Sequence, residues 1–291
     1  MEHLAAYLQY LEYEKRYSPH TIVAYRRDLS QFDVFLSEIG GESGVVDFRL
    51  IRRWIVALVA EGDASRTVNR KIAALRSYFK YLMKKGLAEN NPMEKVGLLK
   101  TDKNLPVFVT ANKMDEMLDE EPVSDDFSDM RDRTLVELFY MTGMRLSELI
   151  GLRENDIDTG AMTVKVTGKR NKERIVPLTA KLCDTLRKYI SLKKATHPGT
   201  DILFITDTGK PVYPRWVQRL TNKRLGMVTT MKKRSPHVLR HSFATNVLNN
   251  GADLNAIKEI LGHANLAATQ VYTHNSLKRI KKVYKQAHPR A

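Results

Sequence analysis

A single cysteine, Cys183, in 291 residues rules out an internal disulfide framework and suits a reducing compartment. No apolar run approaches the length needed to cross a bilayer. The first residues, Met1-Glu-His-Leu, lack the basic-then-apolar layout of a signal peptide. The expectation is a cytoplasmic chain with no membrane partner. There is no Walker-type glycine loop, no internal repeat and no low-complexity segment. His237-Val-Leu-Arg-His241 has the spacing of half a zinc motif, but the glutamate required in His-Glu-x-x-His is absent, because position 238 is Val238. Neither a metal nor a nucleotide is expected as a cofactor.

The most uneven scarcity is that of acid. The net charge is +15, and it is not spread evenly. Residues 1–90 hold 14 Lys and Arg against 11 Asp and Glu, and residues 91–199 hold 18 against 18. Residues 200–291 hold 16 against only 4. Clustered cations draw polyanions by counterion release and long-range steering. A basic surface alone also serves as a solvated face. What distinguishes this one is the set of phosphate-type side chains within it.

The composition, 43% hydrophobic and 28% charged, is that of a globular chain with room for real cores. Residues 1–90 read as four helices. Leu4, Tyr7, Leu8 and Leu11 recur at helical spacing, and Ser18-Pro19 has the form of a cap followed by proline at the first helical position. Ile22, Tyr25, Leu29, Phe32 and Leu36 would line the next helix, ending near Gly40-Gly41. Trp54 and Leu58 belong to a third helix that stops at Gly62, and Val68, Ile72, Leu75, Phe79 and Leu82 to a fourth closed by Gly86. Arg66, Arg70, Lys71, Arg76, Lys80 and Lys84 decorate that fourth helix, which makes it the expected groove or backbone contact.

Asn90-Asn91-Pro92 breaks the helical pattern, and residues 91–106 read as a linker. A second domain, residues 107–291, begins with Thr110 as a cap. Residues 162–166 and 173–177 alternate as strands around a turn-prone basic tip, Thr167-Gly-Lys169-Arg170-Asn-Lys172, and Ile202-Leu-Phe-Ile205 is read as a third strand. From Pro214 onward the pattern is helical. The fold class is mainly α with a small antiparallel sheet, in two domains.

Within this frame five side chains suit a phosphodiester. Arg145, in Gly143-Met-Arg-Leu-Ser-Glu148, offers a planar, permanently charged fork, and Glu148 three residues on would hold it. His237 and Arg240 share a helical face and can reach one phosphate; His241 falls on the other face. His263 follows Leu261-Gly262, a helix end and restart of the kind where backbone N–H groups meet anions. Tyr272 is a poor nucleophile at its ordinary pKa, near ~10, unless cations or a base share its proton. Each of these alone also reads as a capping, core or surface residue. A lysine on the hairpin tip, Lys169 or its neighbour Lys172, would reach across a groove and protonate a leaving alkoxide, and the pattern does not separate the two.

Together Gly143-Met-Arg-Leu-Ser-Glu-Leu149, Gly168-Lys-Arg-Asn-Lys-Glu-Arg174, His237-Val-Leu-Arg-His-Ser-Phe-Ala-Thr245, Leu261-Gly-His-Ala-Asn265 and Thr269-Gln-Val-Tyr-Thr-His274 resemble the tyrosine recombinases. Tyr17-Ser-Pro-His-Thr-Ile-Val-Ala-Tyr-Arg-Arg-Asp28 resembles the first-domain signature of their Xer branch, so the likeness runs nearly end to end. It implies that Tyr272 attacks a scissile phosphate to give a 3′-phosphotyrosyl bond. Arg145 and Arg240 would clamp its oxygens, His237 and His263 would complete the pocket, and Lys169 would be the general acid. It further implies a two-domain clamp on duplex DNA bearing a specific recombination site, with Arg170 and Lys172 among the DNA contacts. The working form would be a homo- or hetero-tetramer on two sites, with a DNA translocase as activator, in a nucleoid-associated role resolving chromosome dimers at cell division. The tail, residues 276–291, is expected to dock through Leu277, Ile280, Val283 and Tyr284 on a neighbouring protomer. A mobile-element integrase, a type IB topoisomerase-like enzyme and an inactive DNA-binding protein are the alternatives.

Overall fold

The computed structural model describes residues 1–39, 46–101, 107–119, 126–168, 171–262 and 274–290, with 274–280 described by backbone alone. The chain divides into two compact units, Met1–Asn104 and Leu105–Ala291, each with its own apolar core.

The first unit is helical. Helix α1 (Leu4–Gln9) runs on into a π-helical turn, Tyr10–Glu14. Helix α2 (Pro19–Glu38) starts where the Ser18 hydroxyl accepts from Thr21 N–H at 3.3 Å, the capping arrangement that Ser18-Pro19 foreshadows. Helix α3 (Phe48–Ala60) is capped by Asp47, and α4 (Ser65–Lys84) ends before Gly86, which takes the left-handed conformation. Tyr7, Leu29, Phe32, Trp54, Val68, Ile72 and Leu75 close the core. Residues 91–101, expected as a linker, hold no helix or strand beyond turns, yet they pack: Met93 and Val96 are buried in this core. The Asn69 side chain donates to Leu99 C=O at 2.9 Å and accepts from Leu99 N–H at 2.8 Å.

The second unit is built around α6 (Phe127–Thr142), an inner helix buried on most of its circumference. It packs against α8 (Ala180–Thr196) and α10 (Pro236–Asn249). Helices α5 (Ala111–Asp119), α7 (Leu146–Ile150), α9 (Pro214–Val228) and α11 (Leu254–Leu261) complete the shell. The sheet has three antiparallel strands in the order β1 (Ile157–Asp158), β2 (Thr163–Thr167), β3 (Glu173–Pro177), with Thr167 opposite Glu173 at the hairpin end. The third strand is therefore not Ile202–Ile205. Its last three residues, Leu203, Phe204 and Ile205, are buried, but the run makes only isolated bridges, Ile202 with Arg153 and Ile205 with Pro211. An apolar tetrapeptide can be core without joining a ladder.

The last helix, α12 (His274–Ala287), packs on β3, α10 and α11 of its own unit. Tyr284 is buried and its hydroxyl donates to Met141 C=O at 3.1 Å; Asn250 donates to Ala287 C=O at 2.9 Å. His288 stacks on Tyr284, and Arg290 pairs with Asp115 and Asp119. Within this chain Tyr284 is therefore seated on its own unit, where α6 and α10 supply its apolar surface, whereas it is expected from the sequence on a neighbouring protomer. Val283 is half-buried against the same core, while the side chains of Leu277 and Ile280 lie outside the described residues.

Candidate active site

Helix α6 ends at Gly143, whose left-handed backbone (φ 56°) turns the chain. A Cβ at this position would lie 2.3 Å from the Phe243 ring, so only glycine fits between α6 and α10. Two residues on, Arg145 caps α7. Its backbone N–H donates to Glu148 Oε2 at 2.6 Å, and its Nη1 donates to Glu148 Oε1 at 2.9 Å. Glu148 does hold the Arg145 fork, as the spacing of three predicts.

Glu148 serves a second arginine that the sequence reading did not single out. Arg174, on β3, donates to both carboxylate oxygens, Nη1 to Oε1 at 2.9 Å and Nη2 to Oε2 at 2.8 Å. Both partners are buried, their side chains 5% and 2% exposed. Burial alone would push the Glu148 carboxyl up, but hydrogen bonds from Arg174 and from Arg145 N–H outweigh it and hold it below the usual range. The one local signal for Arg174 is strand alternation: it occupies an inward position, in phase with Val176. A charge there calls for a buried partner.

Arg240 reaches the same place from α10. Its Nη1 donates to Gly143 C=O and its Nη2 to Leu261 C=O at 2.9 Å. Burial first, then the charges of Arg145 and Arg174, lower its pKa to about 10. It remains charged at neutral pH.

The end of α11 ties the cluster together. Three successive carbonyls each accept from a different guanidinium: Ile260 from Arg174 (2.7 Å), Leu261 from Arg240 (2.9 Å) and Gly262 from Arg145 (3.0 Å). These carbonyls have no partner inside their helix and carry the negative end of its dipole. Three guanidiniums thus gather around one carboxylate, which pairs with Arg145 and Arg174, an excess of positive charge among the described residues that an anion would balance. Arg145 and Arg240 are both part-exposed. Each uses one hydrogen of Nη1 and one of Nη2 in these contacts, which leaves further N–H donors on each fork.

His237 is exposed on the first turn of α10, one turn before Arg240. His241 is half-buried beside Phe108 and Thr245. Lys172 is exposed at the hairpin end, where Gly168 N–H donates to Lys172 C=O at 2.7 Å. Lys169, Arg170, His263 and Tyr272 lie outside the described residues.

In the first unit, the basic helix α4 divides. Lys71 is buried and pairs with Asp63, which takes it out of the candidate DNA surface. Arg70 pairs with buried Asp28, and Arg76 donates to Val96 C=O at 2.6 Å. Arg66 and Lys80 are exposed.

Residues 108–279 match the family described as phage integrase, and residues 4–86 match the phage integrase N-terminal SAM-like domain. The chain belongs to the phage integrase family, the tyrosine recombinases. Its likeness to the Xer branch extends over its whole length. It is 38% identical to the tyrosine recombinase XerC of Azotobacter vinelandii over 99% of this chain and 96% of the relative, and 36% identical to that of Bacillus subtilis over 98% and 95%. In fold it resembles the XerH site-specific recombinase, solved in a post-cleavage complex with palindromic difH substrate (TM-score 0.71, 23% identity, 90% of this chain and 78% of that one).

Proposed function

We propose that this site-specific tyrosine recombinase cuts and rejoins duplex DNA through Tyr272, and that its role is the resolution of chromosome dimers at cell division. The observation that carries the chemistry is the convergence of Arg145 and Arg240, ninety-odd residues apart, on the carbonyls at the ends of α6 and α11. Both forks are anchored by some of their donors and keep others for an incoming anion. Whole-length likeness to the XerC relatives supports the chromosomal role over that of a mobile-element integrase.

In this reading the Tyr272 oxygen attacks phosphorus, the bond to the 5′ oxygen breaks, and the 3′-phosphotyrosyl link keeps the phosphodiester energy for rejoining. Arg145 and Arg240 neutralise the charge that builds on the non-bridging oxygens. His237 and His263 complete the pocket, and Lys169 protonates the departing 5′ alkoxide. Duplex DNA with a specific site is the substrate, and a homo- or hetero-tetramer on two such sites is the working form, with a DNA translocase as activator.

The test is covalent capture. Wild type and Tyr272→Phe are incubated with nicked duplexes carrying candidate sites from the host's replication terminus, then run on denaturing gels. Protein-linked DNA that forms only with wild type and only on those sites supports both nucleophile and role. A linked product that persists with Tyr272→Phe refutes the choice of tyrosine; a linked product that ignores site identity refutes the role.

A further inference from the structure

We infer that Arg174 is a positioning residue of this recombinase: it holds the Arg145 fork, through Glu148, in the geometry that receives the phosphate. The proposal rests on the recombinase reading for its effect on rate, but the contact itself is independent of DNA.

Among the described residues, Glu148 is the only acidic side chain that pairs with Arg145, and two of its hydrogen bonds come from Arg174. With Arg174 in place, the carboxylate is gripped in both lone-pair directions and its plane is fixed by a bidentate fork. Oε1 then meets Arg145 Nη1 and Oε2 meets Arg145 N–H, so one rigid carboxylate sets both the start of α7 and the direction of the guanidinium. Arg174 also donates through Nε to Ile260 C=O. The same side chain therefore ties Arg145 to the end of α11, whose next two carbonyls hold Arg240 and Arg145.

The surroundings are cut to this arrangement. A Cβ on Gly168, at the end of β2, would come within 3.1 Å of Glu148 Oε1, and one on Gly262 within 3.3 Å of the Arg174 side chain. Glycine at both places lets β2 and the turn after α11 close on the pair. Lysine could replace the charge of Arg174 but not its fork: a point charge cannot grip two oxygens and a carbonyl at fixed angles.

The experiment compares wild type, Arg174→Lys and the neutralised double variant Glu148→Gln/Arg174→Gln, which avoids a buried unpaired charge if the single variant folds poorly. Arginine side-chain NMR in the DNA-free protein reports how firmly each guanidinium is held. Arg131, buried in a separate cluster with Asp132, Asp207 and Trp216, is the internal control. The expected result is that Arg145 signals lose their exchange protection in both variants while those of Arg131 are unchanged. Single-turnover cleavage at saturating protein should fall roughly 10²-fold, as for loss of one preorganised donor, with DNA affinity within about threefold, since other phosphate contacts persist. Unaltered Arg145 signals in a folded Arg174→Lys protein would overturn the proposal, as would a rate loss matched by an equal loss of Arg131 protection. If wild type itself forms no Tyr272-dependent link to DNA, it is the recombinase reading that fails, and the Arg145 signals still decide whether Arg174 positions that fork.

Discussion

Arg240 is anchored by two backbone carbonyls, those of Gly143 and Leu261, and is already lowered to about 10 by burial and by two neighbouring arginines. It is kept charged in a place that disfavours charge, which is worthwhile only if an anion arrives. Arg240→Ala should therefore lower the cleavage rate by roughly 10²–10³-fold, the cost of removing one preorganised donor. Affinity for the duplex should fall far less, because many other phosphate contacts remain. Rate and affinity are separable by single-turnover cleavage against a binding titration. Equal losses in both would make Arg240 a docking group. Removing its charge should also relieve Arg145 and Arg174, so the variant is not expected to unfold.

At the scale of elements, the tail makes the sharpest prediction. His288 lies against Tyr284, Phe243 and Tyr140, with its Nδ1 accepting from Arg290 N–H. Burial, and to a lesser degree the Arg290 charge, lower its pKa from 6.5 to about 3. The folded chain thus binds this proton more weakly than the unfolded chain. The stability this group contributes is complete above the unfolded value of 6.5 and is lost as pH falls from there toward 3. At pH 5 the loss should be about 2 kcal/mol, from 1.36 kcal/mol per unit. Thermal melts of wild type and His288→Leu at pH 7.5 and 5 check this: the wild type should lose more than the variant over that range. A parallel loss in both would place the acid sensitivity elsewhere.

The first unit's helices were legible because their signals are local. Apolar residues recur every three or four positions, Ser18 caps α2, and Gly86 stops α4. The hairpin was legible from its alternation. The third strand was not, since Ile157–Asp158 is too short to alternate. Lys71 was misread because the burial of a lysine depends on Asp63 across a turn. Among the site residues, Arg145, Glu148 and Arg240 carry motif signals, but what organises them is non-local. The bonds from Arg240 to Gly143, from Arg145 to Gly262 and from Arg174 to Ile260 span 97, 117 and 86 residues. No periodicity encodes such pairings. The cis seat of Tyr284 was hidden for the same reason, its carbonyl partner Met141 lying 143 residues away.

At the scale of the molecule, charge and architecture are distributed unequally. Each unit closes its own core, and the segment 91–101 packs with the first. Residues 1–104 and 105–291 should therefore fold separately, each with a cooperative melt. Their DNA binding should differ in kind. The second unit includes the stretch with 16 basic against 4 acidic residues, whereas three cations of α4 in the first are engaged by Asp28, Asp63 and Val96 C=O. Counterion release then makes the affinity of 105–291 the more salt-dependent, with a log–log slope near −0.9 per phosphate neutralised. Titrations of both fragments and the full chain against one duplex, at several salt concentrations, measure the slopes. The full chain's slope should exceed that of 105–291 by less than 105–291 shows on its own, the increment coming from exposed cations of the first unit such as Lys80. A first unit with the steeper slope would show that α4 gives up its internal pairs on DNA, and that Arg70, Lys71 and Arg76 change partners when the duplex arrives.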